Sequence, residues 1–191
     1  MKNSILSRIR QNKPLEVALP EMPRFDRPSG ELKSLFEETL KKVGGQTVNL
    51  PSQQAFADWL NTRFPEAKNT ASTVPQWWKG NVELNTISDP HELENLDIMI
   101  MAGEFGVAEN AAIWVTEMAM GHRAAPFICQ HLVIILPADQ LVWNMHEAYT
   151  RIGTTDTSFG LFISGPSKTA DIEQSLVIGA HGPRSLTVIG A

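Results

Sequence analysis

The apolar residues of this 191-residue chain come in short bursts. No run exceeds five, and three reach that length: Ile98–Ala102, Ala111–Val115 and Leu132–Leu136. Such bursts fall far below the roughly 20 residues a bilayer-spanning helix needs. Their length is that of a strand, and Asp97–Met101 and Leu132–Leu136 read as strands buried on both faces. Stretches with helical spacing lie between the strand candidates. Leu32, Leu35, Phe36, Leu40 and Val43 share one face, with Glu31 at the positive end, Lys41-Lys42 at the negative end and Gly44 as a stop. Ser52 is placed to cap a second helix carrying Ala55, Phe56, Trp59 and Leu60, ended near Pro65. Asp89-Pro90 with Glu92 opens a short third one. Ala138–Ile152 has the strongest helical pattern, and another helix is expected from about Thr169. Gln46–Leu50, Ala67–Thr73, Phe159–Ile163 and Ser185–Ile189 are further strand candidates, and Phe105–Val115 is extended structure broken at Glu109-Asn110. Short apolar strands alternating with amphipathic helices imply an α/β fold, a mostly parallel sheet with helices on both faces.

Residues 31–191 are expected to form that domain, with 1–30 as an appendage. Asn3–Gln11 has a short helical pattern, and four of the twelve prolines fall between Pro14 and Pro28, which favours an extended arm. The arm either packs on the domain or holds a neighbour. Packing is favoured because Leu15, Val17, Leu19 and Phe25 would otherwise sit in water.

Charge and cysteine content exclude several classes. Sixteen Lys+Arg against twenty-one Asp+Glu give a net charge of −5, the wrong sign for neutralising nucleic-acid phosphates. The one cysteine, Cys129, leaves no intrachain disulfide, no Cys-rich zinc site and no self-contained iron–sulfur cluster. It reads as a buried structural residue. The basic start of the chain has no apolar signal segment, so a cytoplasmic location without a membrane span is expected.

Familiar nucleotide signatures fail. Gly160 and Gly165 have Walker A spacing, but Pro166-Ser167 stands where Lys-Ser/Thr is required. Three segments remain. SGPSKTADIE, Ser164–Glu173, is expected to follow a strand and open a helix, with Gly165 allowing close backbone approach, Ser167 and Thr169 offering hydroxyls and Lys168 a positive charge. The plainer alternative is helix capping by Ser167 or Thr169, with Asp171 and Glu173 favourable to the dipole. Glu109-Asn110 places a charge between apolar stretches; the plainer alternative is a turn between two strands, with Asn110 tolerating left-handed backbone. AHGPR, Ala180–Arg184, is a Gly-Pro turn whose His181 and Arg184 could line a pocket. In open α/β sheets ligands sit beyond the carboxyl ends of strands, a rule that selects Ala102–Gly106, Pro137 and above all Ser164–Thr169.

Together these strings resemble a known family. SGPSKTADIEQSLVIGAHGPRSLTVI, Ser164–Ile189, resembles the C-terminal signature of the LUD-domain family, in particular its LutC-type lactate utilization proteins. FGVAENAAIWV, Phe105–Val115, and HLVIILPADQLV, His131–Val142, extend the likeness, which covers about Leu96 to Ala191. Asn110-Ala111-Ala112 departs from the family's Thr-Gly-Ser/Thr. The resemblance implies a Rossmann-like fold similar to the NagB/RpiA/CoA-transferase-like group. It also implies an accessory role in a cytoplasmic, multi-subunit system oxidising L-lactate to pyruvate, with the iron–sulfur clusters on partner subunits and no cofactor on this chain. Under that reading Ser164, Gly165, Ser167, Lys168, Thr169, Asp171 and Arg184 bind a small anion, and Glu109 or His181 handles a proton. A homo-oligomer is left open. One competitor is a CoA-transferase-like or phosphosugar enzyme, with Glu109 as a covalent nucleophile of the kind CoA transferases place in a Glu-Asn-Gly-like stretch, although Ala111 stands where that stretch has Gly. The other is a pure interaction module gripping a partner through the arm and Trp77-Trp78.

Overall fold

The three apolar bursts lie at the centre of the molecule. The computed structural model describes residues 2–15, 17–21, 23, 25–27, 29–153, 157–169 and 177–190. Its helices are α1 (Lys2–Gln11), α2 (Leu32–Lys42), α3 (Gln53–Arg63), α4 (Glu117–Met120), α5 (Ala125–Ile128) and α6 (Met145–Ile152). Its strands are β1 (Gln46–Val48), β2 (Thr70–Ser72), β3 (Ile98–Ala102), β4 (Phe105–Val107), β5 (Ala112–Thr116) and β6 (His131–Ile135), followed by β7 (Leu141–Val142), β8 (Gly160–Ile163), β9 (Lys168–Thr169), β10 (Val177–Ile178) and β11 (Ser185–Ile189).

Five strands form one wholly parallel sheet in the order β1-β11-β6-β3-β2. Its central strands bury both faces, as unbroken apolar sequence requires. Ile98, Ile100, Val133, Ile135 and Ile189 point to one side, where Phe56 and Leu60 of α3 cover them. Met99, Met101, Leu132, Ile134 and Val188 point to the other and meet Phe36 and Leu40 of α2, Met120 of α4 and Ile113 and Val115 of β5.

That second covering is where the fold departs from the expected helix-only layers. A four-stranded sheet, β7-β4-β5-β8, lies over the parallel one. Its outer face carries Phe105, Val107, Ala112 and Trp114, which are closed off by Ala148, Met145 and Ile152 of α6. The chain is α/β, as its sequence implies, with a second sheet as an additional layer.

Three local expectations are corrected. The helix expected over Ala138–Ile152 begins only at Met145. Before it, β7 pairs with β4, and the Gly106 and Ala108 amides donate to the Gln140 and Val142 carbonyls. Asn144 then caps α6, its side-chain oxygen accepting from the Glu147 amide at 3.0 Å. The helix expected from about Thr169 does not start there: Lys168 and Thr169 are extended and pair antiparallel with Ile178 and Val177. Asp171 and Glu173 lie outside the described residues. The arm is not packed as expected, since Leu15, Val17 and Leu19 are 91%, 82% and 92% exposed. The arm meets the domain at Phe25, whose ring stacks on His146 at 5.1 Å.

Candidate functional site

The loop that follows β8 sits against the segments entering β1 and β11. Its Gly165 has φ +77°, and a Cβ there would lie 2.5 Å from the Val43 carbonyl oxygen, so only glycine lets the loop approach the turn after α2. The Ser167 amide donates to the Pro183 carbonyl at 2.9 Å, and the Gly179 amide donates to the Ser167 carbonyl at 2.9 Å. The loop 164–167 and the turn 181–183 are therefore tied together. They lie at the amino-terminal end of the parallel strands, because Val43 precedes β1 and Pro183 precedes β11. The carboxyl-end expectation fails for this loop: β8 belongs to the second sheet, whose direction the rule for parallel sheets does not govern.

Between loop and turn is a cavity of about 240 Å³. Ser164, Gly165, Ser167 and His181 line it, with Phe127 and Phe162 among its apolar walls. Among the described residues, the Gly165 amide and the Ser167 hydroxyl have no hydrogen-bond partner. Two donors thus remain available beside an imidazole. The Ser164 hydroxyl is spent, donating to the Asn110 carbonyl at 2.7 Å. Phe127, 43% exposed, escaped the sequence reading because a single aromatic after Ala-Pro carries no periodic or motif signal.

The remaining candidates lie elsewhere. Lys168 and Thr169 belong to the β9 ladder and are not in the cavity wall, so the expected cradle of helix-terminal amides is replaced by loop donors. Arg184 lines a different cavity, on the opposite face of the central sheet. Glu109 is exposed, and its carboxylate accepts from the Met145 amide at 3.0 Å. It caps α6 together with Asn144. The turn it occupies is hydrogen-bonded to the site loop through the Asn110 carbonyl. Left-handed backbone in this turn falls on Ala111 (φ +55°), not on Asn110, whose side chain instead accepts from the Ala112 amide at 3.0 Å. The left-handed turn survives with alanine at the position where the resembled family has glycine.

Cys129 is buried, and burial pushes its thiol up to about 12, so it is an inert core residue. Among the described residues, no three His, Cys, Asp or Glu side chains gather as a metal-binding group, and no helix is long and apolar enough to cross a membrane.

The strings that build this loop and turn lie within a span, residues 29–189, that matches the LUD domain. The chain belongs to the LUD domain family. Its relatives include lactate utilization protein C of Geobacillus thermodenitrificans, 27% identical over 176 residues, which are 86% of this chain and 70% of that protein. Lactate utilization protein C of an Exiguobacterium strain is 33% identical over 166 residues, 81% of this chain and 65% of the other. A crystal structure of a DUF162 family protein from Deinococcus radiodurans shares the LUD fold, with a TM-score of 0.60 and 18% identity over 83% of this chain and 94% of that one.

Proposed function

We propose that this LUD domain protein serves lactate utilization by binding a small carboxylate in the cavity between residues 164–167 and 181–183. The observation that carries the proposal is that cavity, with unspent donors at Gly165 and Ser167 beside His181. A carboxylate accepts from the Gly165 amide and the Ser167 hydroxyl, and His181 supplies a further polar contact. Phe127, Phe162 and Leu132 shed water from the carbon skeleton, which strengthens the few polar contacts. The relatives named lactate utilization protein C support lactate or pyruvate as the ligand class. The chain acts as an accessory component whose partner subunits carry iron–sulfur clusters and remove the electrons.

A thermal-shift screen with L-lactate, pyruvate, phosphosugars, nucleotides and CoA tests this. A ligand raises the melting temperature through RT ln(1+[L]/Kd). Lactate or pyruvate should stabilise the wild type, and Ser167→Ala should lose most of that shift while melting normally alone. Stabilisation by CoA only, or a shift indifferent to Ser167→Ala, overturns the assignment. Lactate oxidation by the isolated chain would overturn the accessory role.

A further inference from the structure

Arg184 follows the turn that closes the carboxylate cavity, yet it faces another. This second cavity, about 340 Å³, lies at the amino-terminal end of the same strands on the side covered by α3. Arg63, the last residue of α3, lines it with Phe64, His131 and Arg184. The stem of Arg184 lies across Gly179 (φ +72°), where a Cβ would come within 2.5 Å of its Cγ. The His131 ring packs on Phe64 at 4.5 Å, tilted by 33°, and its Nδ1 is 2.8 Å from the Ser185 hydroxyl; among the described residues Nε2 has no partner.

Among the described residues, the acidic residues of the wall, Glu66 and Asp97, make no ion pair with the arginines. Asp97 is held by the backbone, its Oδ2 accepting from the Lys68 amide at 2.7 Å and the Asn69 amide at 2.8 Å. Glu66 is exposed and, among the described residues, has no ion pair. Among the described residues, neither Arg63 nor Arg184 makes an ion pair or a side-chain hydrogen bond; Arg63 rests over the Phe64 ring at 5.1 Å. Two guanidinium forks and an imidazole nitrogen therefore open on one cavity.

We propose that Arg63, His131 and Arg184 form a second oxyanion site that takes a dianionic phosphoryl group. Two forks offer paired donors to the several oxygens of a tetrahedral phosphoryl group, more than the two oxygens of a lone carboxylate can fill. Phe64 and Ala67 give an apolar floor on which the carbon part of a phosphate ester would rest. The electrostatics agree. Burial first, then Arg63 and Arg184, lower the His131 pKa, against an opposing pull from Asp97. A dianion seated among them would reverse the contribution of the arginines.

The test follows the histidine ring protons by NMR in low-phosphate buffer, at ionic strength matched with chloride. Inorganic phosphate and glycerol 2-phosphate are the probes, and His131→Asn assigns the resonance. Either probe should raise the His131 pKa. Arg63→Gln and Arg184→Gln should each weaken binding about tenfold, with circular dichroism showing both folded. Ser167→Ala should bind both probes normally. Binding of phosphate but not the ester identifies the free ion as ligand; binding of both identifies a phosphorylated metabolite. A His131 resonance indifferent to both probes overturns the proposal, as does undiminished binding by Arg63→Gln/Arg184→Gln. Movement of His181 alone would also overturn it, while leaving the carboxylate cavity standing.

Discussion

The two stacked sheets divide the work of the molecule. In the parallel sheet, Met99, Ile100, Val133, Ile134 and Val188 are completely buried, each packed from above or below. The second sheet is buried in its central strands β4 and β5 and looser at its edges. Its edge strands β7 and β8 are half-buried, and its loops carry the features that a fold alone does not need: a left-handed alanine, a glutamate capping a neighbouring helix and a glycine pressed against another turn. Burial on both faces is most complete in the central strands of the parallel sheet. The candidate site is built where the looser sheet meets the ends of the rigid one, so its loops can vary without disturbing the core.

This division is open to attack by substitution. Ile134→Ala, in the middle of the parallel sheet, should cost about 3 kcal/mol in urea unfolding, whereas Phe162→Ala on half-buried β8 should cost roughly half as much. Equal losses would erase the contrast. Gly165→Ala should cost about 2 kcal/mol or more, because its left-handed backbone is denied to alanine and the new Cβ meets the Val43 carbonyl. It should also abolish carboxylate binding; a neutral outcome would mean that the loop is free of the turn after α2. Ala111→Gly should lie within about 0.5 kcal/mol of wild type, where an ordinary buried alanine changed to glycine loses about 1 kcal/mol or more. Relief of the strain at φ +55° offsets the lost methyl group.

The smallest effect is a pH dependence. His131 titrates below its ordinary value of 6.5 in the folded protein, chiefly from burial and then from Arg63 and Arg184. Between the folded and ordinary values the unfolded chain binds more protons, so stability rises with pH through that window and is lost as pH falls through it. In His131→Asn that slope should flatten; an unchanged slope would assign it to other groups.

Sequence legibility followed the same line between the sheets. Strands β3, β6 and β11 stand near the expected Asp97–Met101, Leu132–Leu136 and Ser185–Ile189, because a strand buried on both faces must be apolar throughout. Ser52 caps α3 as expected, accepting from the Ala55 amide at 3.1 Å. Strand β7 was hidden, because Leu141 and Val142 fit the helical face of the residues after them and only pairing with β4 makes them extended. Ser167 and His181, singled out from their motif, line one cavity. The spending of Ser164 on Asn110 and the parting of Arg184 from His181 were not legible, since both depend on contacts between segments far apart in the chain.

From the order of residues alone came the α/β class, the parallel core strands and the string that marks the LUD domain. Those are local properties, set by apolar run length, capping residues and glycine positions. The tertiary structure decided that a second sheet would cover the first and that the marked loop would lie at the amino ends of the strands. It also decided which polar groups would still be free once the chain had folded, because a hydrogen bond spent between distant segments leaves no trace in either segment's sequence.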